Sequence, residues 1–384
     1  MSVDIGGRLD VPADVKVGVA LSGGGDSVAL LHLLRQAGVQ VQAATVDHRL
    51  RPESAAEAAT VAGWCRDWGV PHQVLRWQPD SAPGNLMDRA RRARQTLLAG
   101  WAHGQGLRVI ALGHTADDQA ETLLMGLSRA AGLDGLCGLR PEWRQDGICW
   151  LRPMLRLGRQ ELRDWLRRQG LPWIDDPSNT NDRFLRARIR KSLATLAPLG
   201  LTPARLAESV SHLASARAAL DQVVAGAAGE VVDEAAGALR IDASRFAALP
   251  DEVARRLAQS AIRWISGADY APRAANLARF IDAVVQGRAA TLAGCRLKHG
   301  WLAAEPRHAS LHRWTVEGAG TPARLGAEGL RQCPDWRSTG LPRHVLEVTP
   351  GLWQGDLLLT APCAGFGAGR AICAPSFADA LLSH

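Results

Sequence analysis

The 384-residue sequence predicts an α/β protein with a doubly wound parallel sheet in its first half, then a helical domain and a small β-rich C-terminal region. Three observations carry this expectation. Apolar strands and amphipathic helices alternate up to about residue 195, as they do where a parallel sheet is covered on both faces. Residues 200 to 290 are rich in Ala, Arg and Leu at helical spacing, as in Leu206, Val210 and Leu213, then Val253, Leu257 and Ile262. Residues 310 to 384 hold many Gly and Pro between short apolar runs such as Leu357 to Leu359, and Ala289 to Ala304 reads as short strands joined by a turn. The expected divisions are therefore 1–195, 196–305 and 306–384.

The chain is organised around its first strand and the turn that follows. Val15, Val17, Val19 and Leu21 alternate as in a strand, and Val28, Leu30, Leu31 and Leu34 recur at helical spacing until Gly38. Between them lies Ser22-Gly23-Gly24-Gly25-Asp26-Ser27. Three consecutive glycines let backbone N–H groups approach an anion closely, and the helix that starts there adds its positive dipole end. The turn lacks the Lys-Ser/Thr of a Walker A loop, and Val28 stands where a dinucleotide fingerprint has its third glycine. It offers instead two hydroxyls, Ser22 and Ser27, around Asp26, a carboxylate suited to a magnesium ion bound to phosphates.

A second strand, Val39 to Val46, ends at Asp47-His48-Arg49, and ligands of open parallel sheets bind beyond the carboxyl ends of the strands. Asp47 and His48 are thus candidates for nucleotide contact, with a solvated loop before a helix at Glu53 to Trp68 as the alternative. A third strand, Gln73 to Trp77, leads to a helix beginning near Leu86. Arg91 and Arg94 lie three apart on it and share a face, either for phosphates or as a solvated basic surface. A fourth strand, Arg108 to Leu112, ends in Gly113-His114-Thr115-Ala116-Asp117-Asp118-Gln119-Ala120-Glu121-Thr122. Thr115, Asp117 and Asp118 suit a helix start. Capping requires neither His114 nor the second acid, Glu121, that shares a face with Asp117. If the fourth strand lies beside the first, these groups face the glycine turn, offering carboxylates for a metal or an ammonium group and one imidazole.

Composition adds limits. The formal charge of +7 falls mostly in residues 1 to 195, with 26 Lys and Arg against 21 Asp and Glu, which suits contact with phosphates without requiring it. No apolar run approaches membrane-span length, and Met1 to Asp10 lacks the pattern of a secretory signal, so a cytoplasmic location is expected. The seven cysteines form no Cys-x-x-Cys pair and no zinc spacing, which reads as reduced thiols.

The Ser22 to Ser27 turn resembles the PP-loop of the N-type ATP pyrophosphatases, Ser-Gly-Gly-x-Asp-Ser, at every fixed position. Gly113 to Leu124, followed by Arg129-Ala130-Ala131-Gly132-Leu133-Asp134-Gly135-Leu136, resembles the signature of the bacterial tRNA(Ile)-lysidine synthases. Supporting stretches are Asp47 to Glu53, Ala90-Arg91-x-x-Arg94, Arg152-Pro153-Met154-Leu155, and Asp176-Pro177-Ser178-Asn179 leading to Arg186-x-Arg188-Ile189-Arg190. Gln95 and Ala187 depart from the residues usual there. The resemblance implies a catalytic PP-loop domain over 1–195 and a tRNA-gripping helical domain over 196–305. It implies that ATP adenylates the wobble cytidine of a CAU-anticodon isoleucine tRNA and that free L-lysine then displaces AMP. On the same resemblance Ser22, Gly23, Gly24, Gly25, Asp26, Ser27, Asp47 and His48 bind ATP, and Asp26, His114, Asp117, Asp118 and Glu121 serve catalysis. Asp26 and Asp118 are the candidates for Mg2+, and Arg91, Arg94, Arg186, Arg188 and Arg190 for tRNA or phosphate. The alternatives are another PP-loop tRNA-modifying enzyme, such as a thiolase, and a non-catalytic ATP- and tRNA-binding module.

Overall fold

The structure, a computed structural model, describes residues 15–78, 86–175, 185–268 and 272–382. The Asp176 to Asn179 stretch lies outside them. The chain forms two compact units, Met1–Arg217 and Ala218–His384.

The first unit runs β1 (Val17–Ala20), α1 (Gly25–Gln36), β2 (Val41–Asp47), α2 (Ser54–Asp67), β3 (His72–Arg76), α3 (Leu86–Gly104), β4 (Val109–Leu112), α4 (Ala116–Leu127), α5 (Leu133–Leu136), β5 (Glu142–Gln145), β6 (Ile148–Leu151), α6 (Arg159–Gln169) and α7 (Leu185–Leu196). Its six strands are ordered β3-β2-β1-β4-β6-β5. All pairs are parallel except the β5–β6 hairpin at one edge. Because side chains alternate across a strand, Val17, Val19, Ala43 and Ala111 pack with α1, α2 and α6, while Ala44, Ile110 and Leu112 pack with Leu98 and Trp101 of α3. The expected two-sided cover is present. The winding reverses between β1 and β4, which pair in register from Val17 with Val109 to Ala20 with Leu112, so the segments leaving both strands open into one crevice.

The β5–β6 hairpin was not expected from the sequence. Asp146 and Gly147 both take positive φ in its two-residue turn, the Asp-Gly signature of a tight hairpin. Trp143 and Trp150 stack across it, ring centroids 5.5 Å apart.

The division between units falls within α8 (Pro203–Val231). The second unit continues with β7 (Val232–Ala235), β8 (Ala238–Ile241), α9 (Ala243–Ala247), α10 (Asp251–Ser266), α11 (Ala274–Val285), β9 (Ala290–Leu292), β10 (Cys295–Lys298) and β11 (Trp301–Ala304). These strands form an antiparallel sheet ordered β7-β8-β11-β10-β9. Its tight turns Ala236-Gly237, Ala293-Gly294 and His299-Gly300 all take positive φ. The apolar stripe of α10, including Val253, Leu257 and Ile262, packs on this sheet through Leu239, Leu297 and Leu302. The expected helical character over 200–290 is therefore only partial, because β7 and β8 interrupt it. The remainder holds β12 (Trp314–Glu317), β13 (Thr321–Arg324), α12 (Gly326–Arg331), α13 (Arg343–Leu346), β14 (Pro350–Gln354), β15 (Leu357–Thr360), β16 (Arg370–Cys373) and α14 (Phe377–Leu382), with two small sheets, β12-β16 and β13-β14-β15. Among the described residues no helix is long and apolar enough to cross a membrane.

Candidate active site

The glycine turn closes on itself through its hydroxyls. Ser27 Oγ donates to the Gly24 carbonyl at 2.8 Å and accepts the Ser22 N–H at 3.2 Å, and the two serine hydroxyls lie 3.1 Å apart. Ser27 is buried and holds the turn, whereas Ser22 is exposed. Gly23 has φ +84°, and a Cβ there would lie 2.6 Å from Val61, so both backbone and packing demand glycine. Gly24 caps α1, which leaves the first N–H groups of that helix at the crevice.

The start of α4 meets this turn directly. A Cβ on Gly113 would sit 3.0 Å from the backbone of Asp26 and Ser27. The two segments expected to face each other thus touch. Asp118 Oδ2 accepts both the N–H and the hydroxyl of Thr115, at 2.8 and 3.0 Å, and so fixes the helix start. The opposite oxygen, Oδ1, accepts from Arg186 at 2.6 Å and lies 3.4 Å from Arg159. Glu121, fully buried, receives Arg186 Nε on one oxygen at 2.5 Å. Its other oxygen takes Arg190 Nε at 2.8 Å and Arg159 at 3.2 Å. Arg159 also donates Nε–H to Asp26 at 3.0 Å, and its backbone N–H to Asp117 at 2.7 Å. One guanidinium therefore ties the glycine turn to the acidic helix start.

Burial and charge compete at each acid. At Asp118 burial favours the neutral form, but Arg159 and Arg186 outweigh it and hold the carboxyl below its usual range. At Glu121 burial is likewise overcome by the hydrogen bonds from Arg190 and Arg186. Asp26 goes the other way: burial, helped by the charges of Asp118 and Asp117, pushes it up against the pull of Arg159. Arg159 itself is driven further into its charged form by Asp118, Asp26 and Glu121, against burial.

A second group of side chains is basic. Arg94 is half-buried and has neither an ion pair nor a hydrogen bond among the described residues, and burial, then Arg91 and Arg186, hold it below the usual guanidinium range. His48 is lowered by burial and by Arg94, and its buried Nδ1 has no hydrogen-bond partner among the described residues. Neighbouring Asp47 does not face this group freely, since its Oδ1 accepts the Arg49 N–H and the Ser54 hydroxyl. Of the α7 arginines, Arg186 and Arg190, four apart, reach Glu121, while Arg188 is exposed. Arg159 was missed by the sequence reading. No local spacing marks it, because its partners lie 38 to 133 residues away. Chemically, the crevice combines an anion cradle, an arginine, Arg94, without an ion pair among the described residues, and a carboxylate set now neutralised by arginines.

A family model described as a PP-loop domain matches residues 8–197. A tRNA(Ile)-lysidine synthase of Ruegeria pomeroyi is 43% identical over 395 residues, covering 96% of this chain and 94% of that one. That of Zymomonas mobilis is 35% identical, covering 75% and 87%. A solved U34-tRNA thiolase from Methanococcus maripaludis aligns with 56% of this chain and 77% of its own, at 15% identity and a TM-score of 0.49. With a glycine turn and an acidic helix start in contact, and with relatives this similar along nearly the whole length, the chain belongs to the tRNA(Ile)-lysidine synthase family.

Proposed function

We propose that this protein joins free L-lysine to the wobble cytidine of a CAU-anticodon isoleucine tRNA in two steps, in the cytoplasm. In the first, the cytosine carbonyl oxygen attacks the α-phosphorus of ATP and pyrophosphate leaves. In the second, the neutral ε-amine of lysine attacks the carbon so activated, the C–O bond breaks, AMP leaves with that oxygen, and the amine loses a proton. The observation that carries this reading is the contact of the glycine turn with the α4 start, bridged by Arg159 from Asp26 to Glu121.

The N–H groups around Gly24 and Gly25 suit the pyrophosphate, and Arg91 and Arg94 suit its remaining charge or the tRNA backbone. A magnesium ion brought in with ATP fits Asp26, whose Oδ1 makes no hydrogen bond among the described residues, and would neutralise the leaving pyrophosphate. Asp118 is a poorer ligand while both its oxygens accept hydrogen bonds. Asp117, Asp118 and Glu121 are the carboxylates for the lysine ammonium; at the last two Arg159 and Arg186 must give way, and at Glu121 Arg190 as well. Residues 196–305 are the part proposed to grip tRNA. A thiolase reading is disfavoured at the described thiols of the first unit: Cys65 is buried and pushed up to about 11, away from the reactive thiolate.

The test is to incubate the protein with ATP, labelled lysine and an unmodified CAU-anticodon tRNA. Label in RNA with equimolar AMP is expected; ATP cleavage that ignores lysine, or no pyrophosphate release, rejects the reading. The Gly113 contact gives a second expected result. Gly113→Ala should slow pyrophosphate release by about 100-fold, because the new methyl meets backbone rather than a yielding side chain. Circular dichroism melting should fall only by the few degrees that overpacking of about 1 to 3 kcal/mol implies, and a rate near that of the unaltered protein would detach this contact from the chemistry.

A further inference from the structure

The Arg152-Pro153-Met154-Leu155 stretch has no part in the reaction as described, yet its first residue reaches His114. Arg152 is buried, 8% exposed. Its Nε–H donates to His114 Nδ1 at 3.1 Å, and another nitrogen donates to the Arg140 carbonyl at 2.7 Å. Its guanidinium lies over Trp143, 4.0 Å from the ring centroid. Held on three sides, it has one orientation.

A guanidinium has only donors, so the imidazole nitrogen it addresses must present a lone pair. A proton on Nδ1 would set two N–H groups head to head. The neutral ring must then carry its proton on Nε2, which makes no hydrogen bond among the described residues. The surroundings agree: burial, with Arg152, Arg94 and Arg186, holds His114 far below the usual imidazole range, against the opposing charge of Asp118.

We infer that Arg152 is a positioning residue that fixes His114 as the neutral Nε2–H tautomer, so that His114 donates a hydrogen bond to an anionic oxygen of the nucleotide and does not accept the lysine proton. The donor role rests on the proposed reaction; the tautomer rests on the Arg152 contact alone. Such a donor stabilises charge that develops on a phosphoryl oxygen.

Two measurements test it. Nitrogen-15 imidazole spectra of the full-length protein at neutral pH, with His114 assigned by its loss in His114→Gln, should show protonated Nε2 and unprotonated Nδ1. An Nδ1–H tautomer or an imidazolium overturns the inference. This readout needs neither ATP nor tRNA, so it stands apart from any failure of the proposed reaction. In Arg152→Met the single tautomer should give way to a mixture, and Arg152→Lys should restore it; a pure Nε2–H form in the methionine variant removes Arg152 from the role. For activity, the glutamine amide reproduces a donor at Nε2 and the asparagine amide one at Nδ1. His114→Gln should keep pyrophosphate release within about tenfold, and His114→Asn should lose about 100-fold. Equal losses, or the reverse order, overturn the donor role.

Discussion

Replacing Asp26 by asparagine is expected to lower pyrophosphate release from ATP by about 1000-fold while leaving tRNA retention on a filter unchanged. The substitution removes the carboxylate nearest the glycine turn and the ligand proposed for magnesium, but preserves the first turn of α1. Arg159 loses one of its carboxylates and keeps Asp118 and Glu121, so the fold should hold. Burial pushes the Asp26 carboxyl up, so taking its charge away also relieves a cost, and stability should be equal or slightly higher. Turnover at the rate of the unaltered protein would show that the turn acts without its acid.

The second large effect is expected at Glu121. Glu121→Gln leaves three arginines facing an amide that can accept from only one side, in a pocket with no water access at that residue. Removing one member of a buried ionic network costs about 3 to 5 kcal/mol. The lower end applies here, because Arg186 and Arg190 are 47% and 33% exposed and regain hydration. Urea unfolding of the first unit should show a loss of about 3 kcal/mol, and lysine dependence should weaken more than ATP dependence. A loss under about 1 kcal/mol would mean the arginines lean on Asp118 and water instead. The pH dependence follows from the same acids. Asp118 and Glu121 have folded values below their unfolded ones, so their contribution is present above the ordinary carboxylate range and is lost as pH falls through their depressed values. Glu121→Gln should therefore flatten the acid side of the stability curve.

The doubly wound order, the glycine turn and the acidic helix start were legible because each is local. Strand alternation, three adjacent glycines and a Thr115-to-Asp118 cap are written within a few residues of themselves. Their mutual contact followed from a general rule about switch points, which the β1–β4 pairing obeys. What was not legible is who holds the carboxylates. Spacing put Asp117 and Glu121 on one face, yet nothing near residue 159 says that its side chain will cross to three acids, since that depends on how α6 returns over the sheet. The same holds for Arg94: its helical face could be read, but its lack of a counter-ion among the described residues could not, because that is a property of everything packed around it. The β5–β6 hairpin was overlooked although Asp146-Gly147 advertises it, because the flanking residues alternate weakly.

The Arg159 bridge also changes what an incoming cation experiences. On the proposed reading, lysine would not enter an electronegative hollow; it would exchange for a guanidinium already seated there, so its affinity would be the difference between two salt contacts. A triphosphate lying along the turn would, on the same reading, offer Arg159 an alternative anion, while Arg186 and Arg190 would still hold Asp118 and Glu121. The nucleotide would thus loosen one of the three guanidinium groups that an amine has to displace, and so would favour entry of the amine after the nucleotide.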